Sequence, residues 1–340
     1  MIDNPVSASA RKSWKTALYT ARPVSLFLAA LMCPVSAHAA DQLYWTQIRN
    51  GSKGIVRADL NGANDVFVVS TTDSPNGIAF DAAHPEHFFV AIRGTTDQIL
   101  KFRLDGSSQE LVRNAPDAFW IAIDSSAGHV YWSRNGLENP GLRRSNLDGS
   151  DMVELLSGFV PTGIALDLQA GKIYWCRTDQ QDPKPVNRIQ RANLDGTDVE
   201  DLVDGCSLGM ALDVSAGKMY WTELNPKRVR RANLDGTGSE DVATGLTLPP
   251  VGIALDPARG KIYWTGASAS GGTLHRANLD GTNLELLRFD LDVPVGITLV
   301  PVPDIPAASA WGLLLFSLVI LIVGSLRIGA RHLRATRAVR

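Results

Sequence analysis

The chain has 340 residues, 20% of them charged and 45% hydrophobic, with a formal net charge of −2. That composition belongs to a folded globular protein. It excludes a disordered, collagen-like or disulfide-dense chain, and it lacks the basic excess of a nucleic-acid binder.

At the N-terminal end, Arg11, Lys12, Lys15 and Arg22 precede the apolar run Val24–Met32, and Ala37-His38-Ala39 follows as a small-x-small triplet. This predicts a secretory signal peptide over residues 1–40, cut near Ala39 or Ala40. Cys33 does not make it a lipoprotein signal, because the preceding Met32 is bulky where a small residue is needed. Export would place the remaining chain in an oxidising compartment.

The middle of the chain is a repeat. Six tyrosines and eight tryptophans yield five adjacent pairs, Tyr44-Trp45, Tyr131-Trp132, Tyr174-Trp175, Tyr220-Trp221 and Tyr263-Trp264. Phe88-Phe89 fills the gap after the first pair. A Leu-Asp-Gly turn recurs in phase, from Leu60-Asn61-Gly62 to Leu279-Asp280-Gly281. So does a Gly-Ile-Ala-Leu-Asp run, at Gly77–Asp81, Trp120–Asp124, Gly163–Asp167, Gly209–Asp213, Gly252–Asp256 and, in part, Gly296–Val300. The apolar run predicts a buried strand and Asp-x-x-x-Gly-Lys a turn. The Tyr-Trp strand then returns, and Asp-Gly closes a hairpin into a fourth strand. Four strands in about 43 residues make a propeller blade, and six such periods make an all-β, six-bladed ring over residues 41–300. The first period lacks a leading apolar strand and the last lacks a following Tyr-Trp. The ring is therefore expected to close with one blade built from both ends of the chain, which removes a free edge.

These motifs resemble the YWTD repeats, also known as low-density-lipoprotein receptor class B repeats. The resemblance implies a six-bladed β-propeller and a role in protein–protein interaction. This chain departs from the pattern at the fourth letter. Gln47, Arg134, Arg177, Glu223 and Gly266 stand where the family has Asp.

Features that recur in every blade are expected to hold blades together. The Tyr-Trp pairs should pack between blades. The basic residues Arg57, Lys101, Arg144, Arg191, Arg231 and Arg276 should bond across the same interfaces, and Asp81, Asp124, Asp167, Asp213 and Asp256 should cap turns. Function is expected where the repeat breaks. Trp120 replaces the glycine that starts the other inner strands, which puts Phe119-Trp120 at the mouth of the central channel, either as a partner's anchor or as a plug. The loop over 177–188 carries Asp179, Asp182, Lys184 and Arg188, and the loop over 134–141 carries Glu138 and Asn139, all on one face of the ring. Cys176 and Cys206 enter that face from neighbouring blades, so a disulfide between them is open.

Neither a catalytic constellation, a metal site nor a cofactor site is expected. The positions before the inner-strand starts (Asn76, Phe119, Thr162, Leu208, Val251 and Val295) offer a cation little oxygen. The preferred reading is a noncatalytic binding or scaffold module with a protein or surface ligand. The alternatives are a metal-dependent, lactonase-like propeller hydrolase and a purely structural cell-surface protein.

After the ring, residues 305–326 carry no charge, and Arg327, Arg331, Arg334, Arg337 and Arg340 follow. This predicts a transmembrane helix with its basic tail in the cytoplasm and the propeller in the periplasm or at the cell surface. The start of the segment, with Ile305, Pro306, Ser309, Trp311 and Gly312, resembles an IPTL-CTERM sorting tail, a relative of the PEP-CTERM type. That resemblance implies a Gram-negative envelope and an exosortase-type enzyme as a partner. The ends, +3 over residues 1–40 and +5 over 305–340, leave −10 on the ring.

Overall fold

A computed structural model describes residues 41–48, 53–179 and 186–301. The expected signal peptide and the C-terminal segment, including Ile305, Pro306, Ser309, Trp311 and Gly312, lie outside the described residues, as do Asp182 and Lys184. Among the described residues the chain forms six four-stranded antiparallel sheets arranged as the blades of a propeller. The one helical element among them is a 3-10 turn at Pro257–Arg259, capped by the Asp256 carboxylate.

Blade 1 joins the two ends of the ring. Strands β1 (Gln42–Gln47), β2 (Gly54–Asp59) and β3 (Val66–Ser70) come from the N-terminal side, and β24 (Pro294–Val300) supplies the innermost strand. Strand β24 pairs antiparallel with β1, with Gln42 opposite Val300 and Trp45 opposite Ile297. The other blades follow in chain order. Their innermost strands are β4 (Ser74–Phe80), β8 (Ala118–Asp124), β12 (Val160–Asp167), β16 (Met210–Asp213) and β20 (Pro250–Asp256).

The Tyr-Trp pairs hold the ring together through the two-residue period of a strand, which sends adjacent side chains to opposite faces of a sheet. Tyr44 packs into the cluster of blade 2 with Phe88, Val90 and Phe102, whereas Trp45 packs against Tyr263 and Ala254 of blade 6. In the same way Tyr174 meets Trp221, and Tyr220 meets Trp264. Each pair thus divides between its two neighbours, and all ten rings are buried. Six apolar clusters result, one at each blade interface.

One assignment from the sequence shifts by a residue. Across the sheet, Tyr44 faces Arg57, Tyr131 faces Arg144, and Phe89 faces Lys101. The Tyr-Trp-Thr counterpart in blade 2 is therefore Phe89-Val90-Ala91, not a motif beginning at Phe88. Phe88 is also aromatic and buried, but it lies on the blade 1 side with Tyr44, at a ring separation of 5.7 Å.

In four of the five Tyr-Trp blades the next residue is a Thr or Ser, and its hydroxyl has a structural task that the sequence did not suggest; Cys176 stands there in blade 4. Thr222 Oγ1 accepts the Gly209 N–H at 2.8 Å and donates to the Val251 carbonyl of the next blade at 3.1 Å. Thr265 does the same for Gly252 and Val295, and Thr46 for Gly296 and Asn76. The neighbouring inner strands come so close there that a Cβ at Gly252 would sit 2.2 Å from the Val295 carbonyl oxygen. Glycine is required at that position by close approach.

On the opposite face, the expected turn caps form. Asp81, Asp124, Asp167, Asp213 and Asp256 each accept backbone N–H groups two or three residues on. Of the recurring basic residues, Arg191, Arg231 and Arg276 donate to the carbonyls of Leu234, Leu279 and Leu60 in the next blade, whereas Lys101 lies 3.5 Å from Glu110 of its own blade.

Candidate functional site

The candidate site lies on the face formed by the connections between blades and between the second and third strands of each blade. At its centre is the channel mouth. In or just ahead of five inner strands a glycine (Gly77, Gly163, Gly209, Gly252 or Gly296) faces a neighbouring inner strand, and at the matching place in β8 stands Trp120. The Trp120 side chain is 8% exposed and belongs to one apolar cluster with Val251 and Val295 from inner strands across the ring. Its backbone N–H is held by Ser133 Oγ at 2.9 Å, so the strand keeps its place although the side chain has changed. Trp120 thus fills the channel. Phe119, half-buried and edge-on to Trp120 at 5.9 Å, is the more accessible of the two.

The aromatic surface continues outward towards blade 4. Phe159 stacks on Trp175 at 5.9 Å, and the Arg177 guanidinium lies 5.3 Å from the Phe159 ring, within cation–π range. Next to it the connection over 135–140 is tied down at Pro140, whose carbonyl accepts the Gly158 N–H at 3.1 Å. Asn139 occupies a left-handed backbone position and donates to Glu154 at 3.0 Å. Buried Arg143 bonds both the Asn139 carbonyl, at 3.0 Å, and Glu154, at 2.7 Å. Burial pushes the Arg143 guanidinium down from its ordinary value, while hydrogen bonds from Ser157 and Asn139 lower the Glu154 carboxyl. The loop that results is rigid at both ends and leaves Leu137 95% exposed at its tip beside exposed Glu138.

The structure brings Phe119 and Trp120 together at the channel mouth, whereas Glu138 and Asn139 lie on the connection over 135–140, with Asn139 turned to Glu154 of the outer strand. It does not bring Arg188 to them. That guanidinium bonds Asp201 on the adjoining outer strand and lies 3.8 Å from Asp204. Asp179 ends a strand opposite Val186. Cys176 and Cys206 are joined by a disulfide with Cα atoms 5.8 Å apart, a staple between blades 4 and 5. The bridge spans 30 residues, so replacing both cysteines with serine should cost about 2–4 kcal/mol. Denaturant unfolding of wild type and variant, each with and without reductant, measures this. A variant as stable as the oxidised wild type contradicts it.

The sequence reading missed Leu137, Arg143, Phe159 and Arg177 as site residues. Arg177 was legible as a departure from the Tyr-Trp-x-Asp pattern, but the ring beneath it comes from another strand. A second polar sector, between blades 2 and 3, was also missed. Asp73 accepts from both the backbone and the hydroxyl of Thr95 and Thr96, which lowers its carboxyl pKa, and Arg93 bridges Asn135 and Asp117 at 3.0 Å each.

Among the described residues no three His, Cys, Asp or Glu side chains come close enough to hold a metal ion. At the channel mouth the polar side chains of Asn76 and Thr162 bond the carbonyls of Ser74 and Ser207.

No family model matches the chain, and no curated protein matches it by sequence. Solved structures do match it by fold. The propeller in a crystal structure of a nidogen/laminin complex superposes with a TM-score of 0.65 at 17% identity, covering 76% of this chain and 98% of that one. TolB from Acinetobacter baumannii gives 0.63 at 12% identity, covering 77% and 67%. A gluconolactonase from Xanthomonas campestris gives 0.50 at 16%, covering 67% and 84%. At these identities the likeness shows the six-bladed fold.

Proposed function

We propose that the chain is an exported, envelope-held propeller of the YWTD type that binds a protein partner through the loop-bearing face and catalyses no reaction. One observation carries this reading. Phe119, the Arg177 guanidinium over the Phe159 ring, and the projecting Leu137 are all carried on that face, and apolar and guanidinium groups are the residue types that anchor protein interfaces. The named structures lend it support, since one is a complex of nidogen with laminin. The basic N-terminal segment and the uncharged segment before an arginine-rich tail support export and retention at the envelope.

A metal-dependent hydrolase would need oxygen donors converging at the channel mouth, where four of the six positions are Phe119, Leu208, Val251 and Val295, and the polar side chains of Asn76 and Thr162 bond backbone carbonyls. The test is an affinity capture from the native envelope with the full-length protein, comparing wild type with Leu137→Glu and Arg177→Glu. A partner retained by wild type and lost, by roughly tenfold or more, with both variants supports the reading. A partner held equally by all three places binding elsewhere on the chain and overturns the assignment to these residues, and none held by wild type favours the purely structural alternative.

A further inference from the structure

Five of the six blade interfaces place a tyrosine hydroxyl and an arginine guanidinium on the face opposite the loops. The carbonyl of the leucine in the next blade's Leu-Asp-Gly turn is their usual target. Tyr44 reaches Leu104 at 3.2 Å, and Tyr174 and Arg191 reach Leu234 at 3.4 and 3.1 Å. Arg231 reaches Leu279 at 2.8 Å and Arg276 reaches Leu60 at 3.2 Å. A glutamate on the outer strand holds the other side of the guanidinium, as Glu240 holds Arg231 at 2.6 Å and Glu285 holds Arg276 at 2.6 Å.

The interface between blades 2 and 3 lacks both fillers. Phe89 has no hydroxyl, and Lys101, with a single ammonium, sits 3.5 Å from Glu110. A cavity of about 420 Å³ is left there. Its back is apolar, made by Phe89, Val112 and Leu147; Leu111, Lys101, Glu110 and Asp148 line it further, together with the Asp81–His84 pair, whose side chains lie 3.0 Å apart. Asp148, like its counterparts Asp195, Asp235 and Asp280, is held low first by hydrogen bonds within its own turn; those three also lie in the field of the preceding blade's arginine. Arg113, the nearby guanidinium, is engaged by the Gly149 carbonyl at 2.6 Å.

From this comparison within one molecule we infer that the cavity between blades 2 and 3 is a binding site for a guanidinium group. A planar guanidinium can donate to the Leu147 carbonyl and in a fork to Glu110 or Asp148. An ammonium offers no flat fork and fits the site less well. The source is either a small free guanidino compound or an arginine side chain presented by a peptide.

The experiment is calorimetric titration of the full-length protein at pH 8 with agmatine, with the tripeptide Gly-Arg-Gly, and with butylamine. Saturable binding of one agmatine per chain is expected, with butylamine weaker by roughly tenfold or more. Tripeptide binding as tight as agmatine assigns the site to a peptide's arginine, and agmatine binding without the tripeptide assigns it to a free compound. The double variant Phe89→Tyr with Lys101→Arg restores the side chains of the other interfaces and should abolish binding. Glu110→Gln, on the exposed rim, provides a variant that keeps the packing and should weaken binding by roughly tenfold. The inference is overturned if wild type shows no saturable agmatine binding, if butylamine binds equally well, or if neither variant weakens binding.

Discussion

A chain ending at Asp292 is expected not to fold. Strand β24 supplies the innermost strand of blade 1 and buries Val295, Ile297 and Val300. Burying such side chains is worth about 1.5–3 kcal/mol each. The truncation also strips the Thr46 and Thr265 hydroxyls of their partners Gly296 and Val295, and it exposes the inner edge of β1. These losses together approach the whole net stability of a domain, about 5–15 kcal/mol. Circular dichroism of the truncated chain should show no cooperative melt. A transition at the wild-type temperature would mean that the ring closes by some other means.

The second large effect is expected at the channel. Trp120→Ala should destabilise the ring by about 3–5 kcal/mol, because the void would open at the centre of a closed structure that can collapse little. Trp120→Phe should cost much less. It keeps an aromatic ring in place and removes an indole N–H that is buried without a hydrogen-bond partner. Denaturant unfolding of the two variants checks this. If Trp120→Ala unfolds at the wild-type midpoint, the indole does not fill the channel in the way its burial implies.

Much of the architecture was legible in the sequence because a blade is a local object. Gly-Ile-Ala-Leu-Asp, Tyr-Trp and Leu-Asp-Gly each report a strand or turn from neighbours in the chain, and their order alone implied a blade shared between β24 and β1. The register of blade 2 was less legible. Its Tyr and Trp are replaced by Phe89 and Val90, and an aromatic neighbour, Phe88, mimics the missing pair. What faces Lys101 across the sheet settles the matter, and that is a pairing between strands. The site was legible only in outline. Trp120 stood out as a broken repeat, yet its burial depends on Val251 and Val295, which lie more than a hundred residues further along. In the sequence Leu137 is one loop residue among others; Arg143 and Glu154, which hold Asn139 beside it, come from strands further along the chain.

The pairing of Gln42 with Val300 also has a mechanical meaning. Both strands reach the same corner of blade 1, where one begins and the other ends. A pull that separates the two ends of the ring would bear on that rung first and then on each following rung in turn, so β24 would be unzipped from β1. A pull between the C-terminal end and the loop-bearing face would run along the strands instead, and the rungs of the pair would share the load. The ring is therefore soft to tension between its own ends and stiff to tension drawn through it.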